Sequence, residues 1–293
     1  MGSLDNKVAI ITGAGGGLGR AHALLLAREG AAVVVNDLGG ARDGTGSGQS
    51  MADGVVDEIV AAGGRAVANY GSVTDDTSAQ AMVTTAKDAF GRVDILINNA
   101  GILRDRSFKN MTDAEWDAVI DVHLRGAYLA TKHFWAALLE QGEGGRIVMT
   151  SSTSGLIGNF GQTNYGAAKA GIAGFMRVLA LEGMRYGITV NVLAPGAFSR
   201  MTEDIMPDIP NLEERMAPEK VSPTVVWLCT DDAAKVTGRQ FCVSGNRVSL
   251  LSWHVDVITE KDGLEEPWSV AEIGEAMAAS QENWPKLLKP MEV

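Results

Sequence analysis

The chain has 293 residues, 46% of them hydrophobic and 21% charged, enough apolar material for one large α/β domain or two small ones. A net charge of −11 argues against DNA or an acidic membrane surface as partner, though a helix N-terminus still suits a phosphate-bearing small molecule. Two cysteines and four histidines, none at metal-ligand spacing, argue against a disulfide framework and a metal site. No run reaches the ~20 apolar residues that span a bilayer, so no membrane insertion is expected. The N-terminus has no signal-peptide core and the final Met-Glu-Val is no peroxisomal address, so a cytoplasmic location is expected.

In chain order, Lys7 to Thr12 is a short β-branched run stopped by glycine, the pattern of a buried parallel strand. Gly13-Ala-Gly-Gly-Gly-Leu-Gly19 follows, then an Ala/Leu-rich helix over about 20–28 and a second buried strand, Ala32 to Asn36, ending at Asp37. Strand, glycine turn, helix, strand and acid make one βαβ unit. Glycines let the backbone approach a pyrophosphate, and the helix N-terminus offers N–H groups and a positive dipole end. The spacing is not G-x-G-x-x-G, because position 18 is Leu18; it is Gly13-x-x-x-Gly17-x-Gly19. Asp37 can accept hydrogen bonds from a ribose hydroxyl pair and would repel a 2′-phosphate, which favours NAD over NADP.

Residues 39–54 read as a long surface loop, followed by a helix over about 52–62 and a strand over 65–70. Ser72 and Val73 would lie at that strand's carboxyl end, where an adenine ring sits in this kind of sheet. A helix over about 76–90 leads to a fourth strand, 93–97, closed by Asn98-Asn-Ala-Gly101. A long amphipathic helix is expected over about 113–140, with Trp116, Ile120, Leu124 and Tyr128 as its core stripe and His123 off that stripe. Strand 146–150 leads to Ser151 and Ser152, a helix spans about 164–184, and a sixth strand, 188–193, is broken by Ala194-Pro-Gly196. Residues 197–221, rich in Met, Pro and acids, suit either a mobile lid over an apolar ligand or a plain connecting loop. A helix at 221–229 and a seventh strand at 238–243 complete the pattern, with the two cysteines buried and reduced. The expected fold is a single doubly wound α/β domain of Rossmann type over 1–251, with about seven parallel strands. Residues 252–293 are a polar extension that packs on the domain or a partner subunit.

The chemistry gathers between Ser152 and Lys169. Tyr165 and Lys169 stand four apart, so a helix stacks them on one face. A phenol titrates near pH ~10, and a fixed positive charge beside it favours the phenolate. Ser152, at a strand end, could bring a hydroxyl to the same point. Alone, such a pair occurs on many helix surfaces by chance.

Taken together, Thr12-Gly13-x-x-x-Gly17-x-Gly19, Asn98-Asn-Ala-Gly101, Ser152, Tyr165-x-x-x-Lys169 and Pro195-Gly196 resemble the short-chain dehydrogenase/reductase family, over residues 5 to 250. Within it, Asn36-Asp-Leu-Gly-Gly40, residues 98–108, Val122-His-Leu-Arg-Gly126, Gly158-Asn-Phe-Gly-Gln162 and Ser199-Arg-Met-Thr202 are similar to the (3R)-hydroxyacyl-CoA dehydrogenase domain of peroxisomal multifunctional enzymes of type 2. The resemblance implies that Tyr165 is the general acid/base, that Lys169 lowers its pKa and binds the nicotinamide ribose, and that Ser152 steadies the substrate oxygen. It implies cofactor contacts at Gly13, Gly17, Leu18, Gly19, Asp37, Ser72, Val73, Asn99, Ala100, Gly101, Ala197 and Phe198. The implied activity is NAD-linked oxidation of a secondary alcohol, an acyl-CoA 3-hydroxyl or, alternatively, a steroid alcohol; a silent NAD-binding module is the third reading. Arg104, Arg106, Lys109, Arg200 and Lys220 could face CoA phosphates or could be a solvated surface. A homodimer or homotetramer, built through the helices after the fourth and fifth strands, is implied as well. His123 stands where the family usually has Asn, which leaves a water relay to the lysine open.

Overall fold

A computed structural model of the chain describes residues 2–198, 209–263, 266–285 and 288. Its first βαβ unit is β1 (Val8–Thr12), α1 (Gly17–Arg28) and β2 (Ala32–Asn36), followed by α2 (Ser50–Ala61), β3 (Arg65–Asn69), α3 (Asp76–Phe90) and β4 (Ile95–Asn98). Next come α4 (Asp113–Ile120), α5 (Gly126–Gln141), β5 (Gly145–Thr150), α6 (Thr153–Leu156), α7 (Thr163–Gly183) and β6 (Ile188–Gly196). The chain then forms α8 (Leu212–Arg215), α9 (Ser222–Trp227), β7 (Gln240–Ser244), β8 (Arg247–Leu251) and α10 (Val270–Ser280).

The strands form one sheet in the order β3-β2-β1-β4-β5-β6-β7-β8, parallel except for β8. β1 and β2 are buried at every position because helices cover both faces. On one face, α1, α2 and α9 bury Ala23, Leu26, Val55, Ile59 and Val225. On the other, α3, α5 and α7 bury Met82, Phe134, Ile172 and Met176. Strand order reverses between β1 and β4, which opens a crevice at the carboxyl ends of the strands.

Three features depart from the sequence expectations. The sheet has eight strands: Ser244-Gly245-Asn246-Arg247 turns β7 into an antiparallel edge strand, with Gly245 at φ +55°. Strand β6 does not stop at Leu193 but runs on to Gly196. β5 ends its pairing opposite Leu193, so beyond it only β7 flanks the strand and Pro195, without an N–H, is tolerated. The expected long helix is interrupted by one π-turn, Asp121–Arg125. That turn shifts the phase of the helix beyond it; of the stripe read as core, Ile120 and Leu124 are half-buried against the core but Trp116 and Tyr128 are exposed, while Val119, His123, Ala127 and Ala130 face inward. The loop after β2 lies at the surface as expected and is tied down by backbone hydrogen bonds. Gly48 N bonds Leu38 O at 2.9 Å, and Leu103 N bonds Arg42 O at 3.1 Å.

Of the segment read as a lid, residues 199–208, with Arg200, Met201, Met206 and Pro207, lie outside the described residues. The remainder holds α8 and a 3₁₀ turn, Pro218–Lys220. In the extension, α10 has a capping box at Ser269 and Glu272 and buries none of its residues. The Arg177 guanidinium of α7 lies 5.4 Å above the Trp253 ring.

Candidate active site

The glycine turn after β1 is shaped by its own backbone. Gly13 (φ +65°) and Gly17 (φ +51°) occupy the left-handed region, and a Cβ on Gly13 would lie 2.8 Å from Ala100 Cα. A Cβ on Gly19 would strike the Gly13 carbonyl oxygen. Helix α1 starts at this turn, and its N-cap, Gly16, offers no side chain to bond the first-turn N–H groups. Those donors face the crevice end of the sheet, where an anion would be bound.

Asp37 closes the other side of the turn. Its Oδ2 accepts from Gly15 N and its Oδ1 from Gly39 N, both at 2.7 Å. Gly15, which sequence reasoning passed over, has no room for a side chain, since a Cβ would lie 2.8 Å from Asp37 Cγ. Asn99 is placed to hold the turn rather than to point outward. Its Nδ2 donates to Thr12 O at 3.0 Å and Gly13 O at 2.9 Å. Thr12 Oγ1 in turn accepts from Asn99 N and Ala100 N at 3.0 and 3.1 Å. Val73 is buried against the π-turned helix, where a Cβ on Gly126 would lie 2.8 Å from its methyl. Ser72 Oγ lies 2.9 Å from Thr74 Oγ1. Ala197 is buried just beyond β6, and Phe198 N donates to Met216 O at 2.7 Å.

The three catalytic candidates converge at the carboxyl ends of β5 and β4. Ser152 caps the four-residue α6, with Ser154 N donating to its Oγ at 3.1 Å. Gly155 lets that turn lie on α7, since a Cβ there would come within 2.6 Å of Lys169 Cβ. Tyr165 and Lys169 share a face of α7, with the ammonium 5.5 Å from the phenol ring centroid. Lys169 Nζ donates to Thr150 O at 2.6 Å, and Ser151 Oγ donates to Lys169 O at 2.8 Å.

Electrostatically the pair differs from the simple picture of a lysine lowering a tyrosine. Burial pushes the Tyr165 phenol up to about 12; a hydrogen bond with Ser152 pulls the other way, and Asp105 adds to the rise. Burial also brings the Lys169 ammonium down to about 7, so the lysine's charge is itself poised near neutrality.

His123 sits in the π-turn at the heart of this cluster. Its ring meets Tyr165 edge-on, 5.1 Å between centroids, and Nε2 lies 2.8 Å from Ile102 O and 3.1 Å from Ile102 N. Burial and the Lys169 charge hold it well below the usual histidine range, so it is neutral. Nδ1 has no partner among the described residues. Gly101 is glycine because a Cβ there would collide with the imidazole. Thr12, Asn98, His123 and Lys169 line one small cavity, which gives the centre of a water molecule about 10 Å³. Of the basic residues considered for CoA, Arg104 Nε bonds Asp43 O at 3.0 Å and Arg106 pairs with Glu115 at 3.1 Å.

A model of the short chain dehydrogenase family matches residues 7–209, through the glycine turn, Ser152, Tyr165 and Lys169. The chain belongs to the short-chain dehydrogenase family. It is 53% identical to a short-chain type dehydrogenase/reductase of Mycobacterium tuberculosis over 248 residues, 85% of each chain. It is 50% identical over 249 residues to the mouse peroxisomal multifunctional enzyme type 2, covering 85% of this chain and a third (33%) of that larger protein. A solved short chain dehydrogenase from Mycobacterium avium superposes with a TM-score of 0.85 at 44% identity, over 98% of both chains.

Membership makes the chain an oxidoreductase acting on CH–OH groups of a small molecule, with a nicotinamide dinucleotide, NAD or NADP, as cofactor. The cradle fits that group: the glycines give its phosphates backbone access, the uncapped α1 N-terminus gives donors, and Asp37 gives a ribose acceptor. Among the described residues, no helix is long and apolar enough to cross a membrane.

Proposed function

We propose that the chain is an NAD-dependent dehydrogenase that interconverts a (3R)-3-hydroxyacyl-CoA and the matching 3-ketoacyl-CoA. The observation that carries the reaction type is the meeting of Ser152, Tyr165 and Lys169 beside the dinucleotide cradle. Asp37 supports NAD, since a carboxylate at the end of β2, beside the glycine turn, would repel a 2′-phosphate. The acyl-CoA substrate is supported by the likeness to the dehydrogenase domain of the multifunctional enzymes.

In this reading the bound nicotinamide supplies hydride chemistry. Tyr165 exchanges a proton with the substrate oxygen, and Ser152 donates a hydrogen bond to that oxygen as its charge changes. Lys169, fixed on Thr150 O, stands 5.5 Å from the phenol ring, and in its protonated form it favours the phenolate.

The test is NADH formation by purified protein with (3R)- and (3S)-3-hydroxyacyl-CoA and with a free steroid alcohol. Turnover of the (3R) thioester alone is expected; turnover of the (3S) isomer or of the steroid alone overturns the substrate assignment. Tyr165→Phe should lose about 10²- to 10⁴-fold in kcat, the usual weight of a general acid/base. Cytoplasmic residence remains part of the proposal, and a peroxisomal signal from the fluorescently tagged full chain would overturn it.

We also propose a homodimer or homotetramer. Trp116 on α4, Tyr128 on α5 and Val178 and Leu181 on α7 form exposed apolar surface on the covering helices. Light scattering behind gel filtration should give two or four chain masses; a monomer would refute it.

A further inference from the structure

Gln162 is buried at the entry to α7 and has no part in the chemistry above. Its side chain joins segments that follow two different strands. Nε2 donates to Asp105 Oδ2 at 2.7 Å, on the segment after β4. Oε1 accepts from Ser154 Oγ at 2.7 Å and Asn159 Nδ2 at 3.0 Å, both after β5. Its own carbonyl accepts from Gly166 N at 2.7 Å, in the opening turn of the helix that carries Tyr165. Arg106 N reinforces the junction by donating to Gly161 O at 2.9 Å.

The direction of this chain of bonds is set at one end. A carboxylate only accepts, so Asp105 turns the NH₂ of Gln162 towards itself and leaves Oε1 facing Ser154, whose hydroxyl must then donate. The N–H of Ser154 occupies a lone pair of Ser152 Oγ. That leaves the Ser152 hydroxyl proton for an oxygen in the crevice, that of Tyr165 in this structure and that of the substrate once it is bound.

We propose that Gln162, oriented by Asp105, is the positioning residue of the site. It locks the turn bearing Ser152 onto the head of α7, so that the Ser152 and Tyr165 oxygens meet at one point. The inference rests on the roles given to those two residues above. An amide spanning two loops and a helix start is economical for this purpose. It neither titrates nor adds charge, and every bond it makes has a fixed donor and acceptor.

The test is a double-mutant cycle in the full chain. Q162E keeps the shape and the acceptors for Ser154 and Asn159 but sets a second carboxylate against Asp105. D105N alone keeps an acceptor for Gln162, and D105N/Q162E restores donor and acceptor with the direction reversed. Q162E should lower kcat about 10- to 100-fold, the range expected for ångström-scale misplacement, with KM for NAD unchanged. D105N should lose far less, and the double variant should recover to within about 5-fold of wild type, a strongly non-additive cycle. Gln162→Met removes the bonds without adding charge and should reproduce the kcat loss. Additive losses, wild-type kcat in Q162E or Gln162→Met, or losses that track the thermal midpoint and spare kcat, would each overturn the proposal. Tyr165→Phe run alongside separates the two levels. Retained turnover there removes the underlying assignment, whereas lost turnover with an additive cycle removes only the positioning role.

Discussion

The two halves of the crevice are built on opposite principles. On the cradle side, Asn99 is spent on the carbonyls of Thr12 and Gly13, and Asp37 on the N–H groups of Gly15 and Gly39. Fit there is a matter of main-chain shape, and no group needs to change its protonation. On the substrate side, Lys169, His123 and Tyr165 are all displaced by burial from their ordinary titration ranges, and His123 Nδ1 lacks a partner among the described residues. Such burial is unfavourable in itself. It persists because a packed helix and a π-turn over-determine the positions, and of the three groups only the Lys169 ammonium is brought to the neutral range. One half holds by geometry; the other works by stored electrostatic cost.

The comparison breaks most sharply at Asp37. If the cradle selects its cofactor by this one carboxylate, Asp37→Ala should raise the NADP-to-NAD ratio of kcat/KM by about 10- to 100-fold, equivalent to relief of one or two like-charge contacts. NAD affinity should fall at the same time, because two N–H groups lose their acceptor. Steady-state kinetics with both cofactors reads the ratio directly. An unchanged ratio would mean that Asp37 only braces the turn.

The same contrast explains what the sequence made legible. The cradle was readable because its requirements are local: β-branched strands, glycines at fixed intervals, and an acid one βαβ unit later. Tyr165 and Lys169 were readable for the same reason, as an i, i+4 pair on one helix. What escaped depends on long-range placement. Gly101 reads as an ordinary turn glycine until His123, twenty-two residues on, is seen filling the space of its missing side chain. The π-turn at Asp121–Arg125 leaves no compositional mark, yet it rephases the helix beyond it, where Tyr128 is exposed. Gln162 was visible only inside a resemblance, since its partners lie eight and fifty-seven residues away. Strand β8 was missed because its exposed Val248 and Leu250 give weak alternation, and an edge strand needs only one partner.

A smaller effect sharpens the electrostatic half. The Lys169 ammonium titrates at about 7 in the folded chain, against an ordinary 10.5. Between those values the unfolded chain binds more protons than the folded one, so this group makes stability rise with pH. Its penalty is full below pH 7 and vanishes only above the ordinary lysine value. His123 and His22 shift the same way but act below their ordinary 6.5, while Cys229, Cys242, Tyr165 and Tyr70, all raised, oppose the trend only from about pH 9 upward. The window from pH 7 to 9 therefore isolates Lys169. Across it the wild-type thermal midpoint should climb by roughly 5 °C, about 2 kcal/mol for a chain of this size. Lys169→Met should be inactive and should lose that slope, even though Thr150 O then lacks its donor at every pH. A variant that keeps the slope would mean that the lysine is hydrated in the folded chain. The electrostatic cost that distinguishes the substrate side from the cradle would then have to reside in Tyr165 and His123 alone.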